Sequence, residues 1–168
     1  MLTTYLAQLF ARDLAALRRE VEAYPDEASL WASAPSVPNC AGTLVLHLSG
    51  NLQHFVGAVL GGSGYVRDRE AEFSRRHVPR AELLRAIDDA AAAVAATVPR
   101  LSAETLAEPF PIPVGPVRLV TLDFLLHLAT HLTYHLGQID YHRRALVGAA
   151  GGASCVSPGE LASATRTA

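Results

Sequence analysis

The chain has 168 residues, half of them apolar and 18% charged, with a formal net charge of -2. That is enough chain and enough apolar side chain for one domain with its own core, and the composition excludes a disordered or collagen-like segment. All the basic residues are arginines, spread along the sequence rather than gathered into a stripe that would neutralise phosphates, so nucleic acid is not an expected partner.

The N-terminal stretch MLTTYLAQLFARDLAALRRE has neither a basic leader nor an uninterrupted apolar run. No signal peptide or membrane span is expected, and the protein reads as cytoplasmic. Instead, Leu2, Tyr5, Leu6, Leu9, Phe10, Leu14, Leu17 and Val21 recur at helical spacing, predicting a first helix from Leu2 to Tyr24, before Pro25. The stretch from Asp26 to Asn39, with Trp31, Pro35 and Pro38, reads as a linker with one helical turn. A second helix, N-capped by Asn39 or Thr43, carries LVLHLSGNLQHFVGAVL and stops at the glycine cluster Gly61-Gly62-Ser63-Gly64. After it, YVRDREAEFSRRHVPR is a charged loop, whose Arg67-Asp68-Arg69-Glu70 run reads as an ion-paired surface or an anion-holding mouth. Pro79 opens a third helix that ends at Pro99. Four prolines between Glu108 and Val117 predict an extended connection or small hairpin. The last helix runs from Leu119 to Val147 and closes at Gly148 and Gly151-Gly152. Beyond it the sequence has no periodic apolar face. Residues 1–150 are therefore read as one helical domain and 151–168 as a flexible tail. Cys40 and Cys155 fall outside any C-x-x-C pattern and are expected as free thiols.

Four helices, each with one apolar face, bury those faces most simply as an all-α four-helix bundle, and the long connections predict at least one crossover. Of seven histidines, His127, His131 and His135 fall at steps of four on the last helix. Residues four apart share a helical face about 6 Å apart along the axis, so two neighbours converge on one ion while all three do not. His131 and His135 form such a pair. The third imidazole is sought on another helix, where His47 lies in the apolar run LVLHLSG and needs a polar partner. Three neutral imidazoles with an open position suit zinc, nickel, copper or iron, and that position would activate a water or accept a thiolate. Gln138 and Asn51 are placed to orient the ligand or the outer ring nitrogens; Asp123, His127 and Tyr134 have either supporting or packing roles. His54, His77 and His142 are read as ordinary core or surface histidines. A packing role for the whole set also fits these spacings.

The phrase HLATHLTYHLGQIDYHRR resembles the final helix of the DinB-like bundle proteins, whose H-x-x-x-H-x-G-Q pattern is met by His131, His135, Gly137 and Gln138. LVLHLSGNLQHF resembles that family's second helix, and GNL and YVRDREAEF resemble an uncharacterised DinB-related subfamily. The resemblance covers the second and fourth helices and the loop after the second. It implies a crossover four-helix bundle, a metal site at His47, His131 and His135 for zinc or nickel with open coordination, and a homodimer. Relatives include thiol-dependent transferases and isomerases that use small-molecule thiols. The implied function is a divalent-metal-binding protein, a metal-dependent enzyme of thiol transferase or hydrolase type acting on a small molecule. Two alternatives stand beside it: a non-catalytic metal-binding or stress-related bundle, and a metal-free interaction module whose histidines bond one another.

Overall fold

The computed structural model describes residues 2–33, 37–148, 153, 156–161 and 163–165. Helix α1 (Leu2–Glu22) buries Leu6, Phe10, Leu14, Leu17 and Val21, the same apolar face that the spacing marks. It stops two residues earlier than expected because Tyr24 turns inward, with its hydroxyl between the Ile139 carbonyl oxygen (3.1 Å) and Nδ1 of His142 (2.8 Å). The single turn expected next is α2 (Glu27–Trp31), capped by the Asp26 carboxylate, which accepts from the Ser29 N–H at 2.8 Å. Trp31 lies flat on α3 at Gly42, where a Cβ would come within 2.6 Å of the indole.

Helix α3 (Ala41–Leu52) is buried along its whole length, which is why its sequence is apolar all round. Its N-cap is Cys40, not Asn39 or Thr43; the Thr43 hydroxyl instead meets the Cys40 thiol at 3.2 Å within the first turn. Residues Gln53–Leu60, expected to continue the α-helix, wind as a π-helix up to Gly61. The charged loop also contains structure: α4 (Arg69–Ser74), capped by Asp68 through the Ala71 N–H at 2.9 Å. Helix α5 (Arg80–Thr97) begins after Pro79, buries Leu83, Ile87, Ala90 and Val94, and tightens into a 3-10 turn around Pro99. A short α6 (Ala103–Ala107) follows. The proline segment is a small hairpin, closed by the Phe110 N–H to Leu119 carbonyl bond (2.8 Å) and turned at Gly115, whose φ is 58°. Helix α7 (Thr121–Val147) ends on Gly148 in the left-handed conformation, with its N–H bonded to the Arg144 carbonyl.

Both α1 and α3 pack on α5 and on α7. Consecutive long helices α1 and α3 therefore occupy opposite corners of a four-helix bundle, so the connection between them crosses it. The fold is all-α: among the described residues the only β pairings are two isolated bridges in the hairpin. No described helix is long and apolar enough to cross a membrane. Past Gly148, a 3-10 turn at Pro158–Glu160 rests beside α1 through Arg19 and Glu160 at 3.3 Å. The expectations for Pro35, Gly151-Gly152 and Cys155, and for much of the tail, lie outside the described residues; Cys40 is a free thiol.

Candidate metal centre

The α3·α7 contact brings His131 and His135, the pair that the spacing singled out, together with His47 of the apolar run. Nε2 of His131 is 3.3 Å from Nε2 of His47 and 3.1 Å from Nε2 of His135, and the ligand atoms of the three all lie within 4.8 Å of one another. Their rings stand nearly perpendicular in every pairing, at 82°, 88° and 90°. No other His, Cys, Asp or Glu among the described residues joins this cluster.

The outer nitrogens decide which way the protons point. Nδ1 of His47 is 3.0 Å from Oε2 of Glu72, and Nδ1 of His135 is 2.6 Å from Oε1 of Gln138. An ionised carboxylate and an amide oxygen only accept, so at these contacts both rings donate from Nδ1. The Arg67 Nη2, 3.4 Å from the His47 Nδ1, is the longer approach and donates instead to Glu72 at 2.8 Å, and each neutral ring keeps a bare lone pair at Nε2. Both lone pairs face the single Nε2 of His131, which carries at most one proton. A cation resolves this opposition. Four ligands held tetrahedrally at zinc–nitrogen distances stand about 3.3–3.4 Å apart, close to the two observed separations. The donor set and its spacing fit one transition-metal ion.

Protonation does not compete strongly for the two rings on α7. Burial, then the charges of His135 and His47, push His131 down to about 4. Burial also lowers His135, partly opposed by its bond to Gln138. Neutral imidazoles are the form a metal takes.

Around the cluster, Glu72 is 5% exposed, and burial disfavours its charge. The hydrogen bonds from Arg67 and His47 outweigh burial and hold its carboxyl below the ordinary carboxylate range. Arg67 makes a fork to it, Nε to Oε1 at 2.6 Å and Nη2 to Oε2 at 2.8 Å. The Phe73 ring lies 5.0 Å from the His47 ring, and the Arg67 guanidinium covers Phe55. His127 remains outside the cluster, stacked between Phe124 and His131 at 6.0 and 5.8 Å. That agrees with the limit of one helix, which closes two of its three histidines on a point. Tyr134 is exposed and meets His135 edge-on, and Asp123 is exposed in the first turn of α7.

Gln138 holds an outer nitrogen as expected. Asn51 does not: it is buried one turn past His47, its Oδ1 has no hydrogen-bond partner, and Glu72 holds the His47 nitrogen instead. Glu72 and Arg67 escape the sequence reading because they sit in a charged run that resembles a solvated surface. The available signals are Phe73, apolar inside that run, and Gly50, whose missing Cβ leaves room for the Glu72 carboxylate. His142 is a satisfied core histidine, bonded to Tyr24 and to the Ala32 carbonyl oxygen. His77 is exposed at a φ of 57°, and His54, lowered by burial and by the charge of Arg67, lies beside Phe55.

The family model of the DinB superfamily matches residues 9–139, a span that contains all three clustered histidines. No curated protein matches the chain.

Proposed function

The chain belongs to the DinB superfamily, and on that premise we propose that it holds one divalent transition-metal ion, zinc or nickel, through Nε2 of His47, His131 and His135. The observation that carries this reading is the pair of outer hydrogen bonds, from His47 to Glu72 and from His135 to Gln138, which turn two lone pairs toward a third imidazole nitrogen. The ion contributes Lewis acidity that favours the deprotonated form of a water or thiol ligand.

The cluster has three members, and His131 and His135 are half-buried rather than sealed, which supports an open coordination position. We infer a metal-dependent enzyme acting on a small molecule, of thiol-dependent transferase or hydrolase type. The chain's own part is to keep His131 and His135 neutral, fix the tautomers of His47 and His135 and carry aromatic side chains, Phe73 and Tyr134, beside the His47 and His135 rings. The alternative is a non-catalytic bundle in which the ion joins α3 to α7 and adds stability by binding only the folded state.

Elemental analysis of protein purified without a nickel column tests the site. About one equivalent of zinc or nickel is expected in the wild type and none in the His131→Ala, His135→Ala double variant. Metal retained by the variant rejects the ligand set, and no uptake by the wild type under excess zinc or nickel rejects the metal reading. Turnover of electrophiles with low-molecular-weight thiols, lost on chelation and restored by metal, separates the enzyme from the non-catalytic bundle.

A further inference from the structure

One segment outside the bundle is fastened to the site by side chains that the ligand set leaves out. Residues 61–78 leave the π-helix through Gly62 and Gly64, whose positive φ of 66° and 75° suits glycine, and return at Val78, whose carbonyl accepts from Trp31. Between those ends, two adjacent side chains of α4, Glu72 and Phe73, both meet His47. Glu72 also lies against α3 at Gly50, where a Cβ would overlap its Oε1. Arg67, from the same segment, neutralises the carboxylate without displacing it from the ring. This strap is therefore anchored at the back of one ligand.

We infer that Glu72 is the positioning residue of this site and that the strap it belongs to is coupled to the ion, so that loading the histidines and docking α4 stabilise one another. The inference rests on the metal reading above. An imidazole that donates its lone pair to a cation becomes a stronger donor from its other nitrogen, so the His47 to Glu72 bond tightens on loading. Coupling is reciprocal: a carboxylate already in place raises the affinity of the ring for the ion by the same factor. The charge of Glu72 is what the coupling uses, and Gly50 is what permits its approach.

The test uses the full chain, stripped of metal by chelation, and zinc as the probe. Zinc affinity is measured by competition with a chromophoric chelator. Trypsin cleavage after Arg67, Arg69, Arg75 and Arg76 is followed by mass spectrometry with and without zinc, with cleavage after Arg118 in the hairpin as the reference. In the wild type, zinc is expected to slow strap cleavage about tenfold relative to Arg118, because cleavage tracks the open form. Glu72→Ala is expected to weaken zinc binding by about tenfold to a hundredfold and to make strap cleavage independent of zinc. Glu72→Gln keeps the shape and one acceptor oxygen, so it is expected to lie between, and it carries the test if the alanine variant does not fold. Normal zinc binding in the wild type, with affinity within about twofold in the folded variants or no zinc effect on the strap, overturns the coupling and leaves the triad standing. No zinc binding by the wild type overturns both.

Discussion

Two polar clusters sit on α7 little more than a turn apart, and they solve burial in opposite ways. At the C-terminal end, Arg143 is almost fully buried and donates to Glu20 at 2.7 Å and to Asp140 at 3.1 Å. Beside it, His142 is held at both nitrogens, by the Tyr24 hydroxyl and the Ala32 carbonyl. Burial, reinforced by the charge of Glu20, pushes the Tyr24 phenol far up, so it stays a donor. The groups named here find their partners within the chain. At the three clustered histidines, Gln138 holds the outer nitrogen of His135 and Glu72 that of His47, while the inner nitrogens face one another. A histidine satisfied at both nitrogens is structure. Histidines held on one side and converging on the other have the geometry of a candidate ligand set.

The sharpest way to break this comparison is Arg143→Ala, which leaves Glu20 buried without its guanidinium. A loss of about 3–5 kcal/mol in urea unfolding is expected, as for other broken buried ion pairs, whereas His135→Ala in metal-free protein is expected to change stability by under about 1 kcal/mol. Equal losses would mean that the histidine cluster is part of the core. Next in size, zinc at about a hundredfold above its dissociation constant is expected to stabilise the wild type by about 2.7 kcal/mol and the His131→Ala, His135→Ala variant not at all, read as the shift in urea midpoint.

A pH series on metal-free protein sharpens the contrast further. His131 takes up its proton near pH 4 when folded but near the ordinary histidine value of 6.5 when unfolded. Above that ordinary value both states are neutral and the group contributes nothing to the pH dependence. As pH falls from there toward 4, the unfolded chain binds the proton first and stability declines. His131→Gln is expected to lose less stability than the wild type over that window; matched slopes would remove His131 as the cause. The smallest expected effect is Arg144→Ala. Its guanidinium is half exposed at the edge of the closed cluster, 2.9 Å from Asp140, so the loss should stay under about 1 kcal/mol in the same unfolding measurement.

The long helices, their order and the pair His131 and His135 were legible in the sequence because each follows from local periodicity. Apolar residues three and four apart mark a buried face, and His131 and His135 share a face wherever that helix goes. Proline and glycine marked the ends for the same reason, with Gly148 closing α7 through a conformation that glycine adopts freely. The π-helical winding of Gln53–Leu60 was not legible, since its residues read equally well as α-helix.

By itself the sequence determined an all-α chain of the DinB type with two histidines one turn apart and a third in an apolar run. Tertiary structure alone decided what that third histidine does, because the α3·α7 contact sets the distance from His47 to the pair. It also decided that Glu72 rather than Asn51 holds the His47 nitrogen, and that Arg67 is a partly buried partner of that carboxylate rather than part of a solvated run. Those assignments depend on how a strap folds back over α3 at Gly50. Spacing along one helix carries no information about an approach between segments distant in sequence.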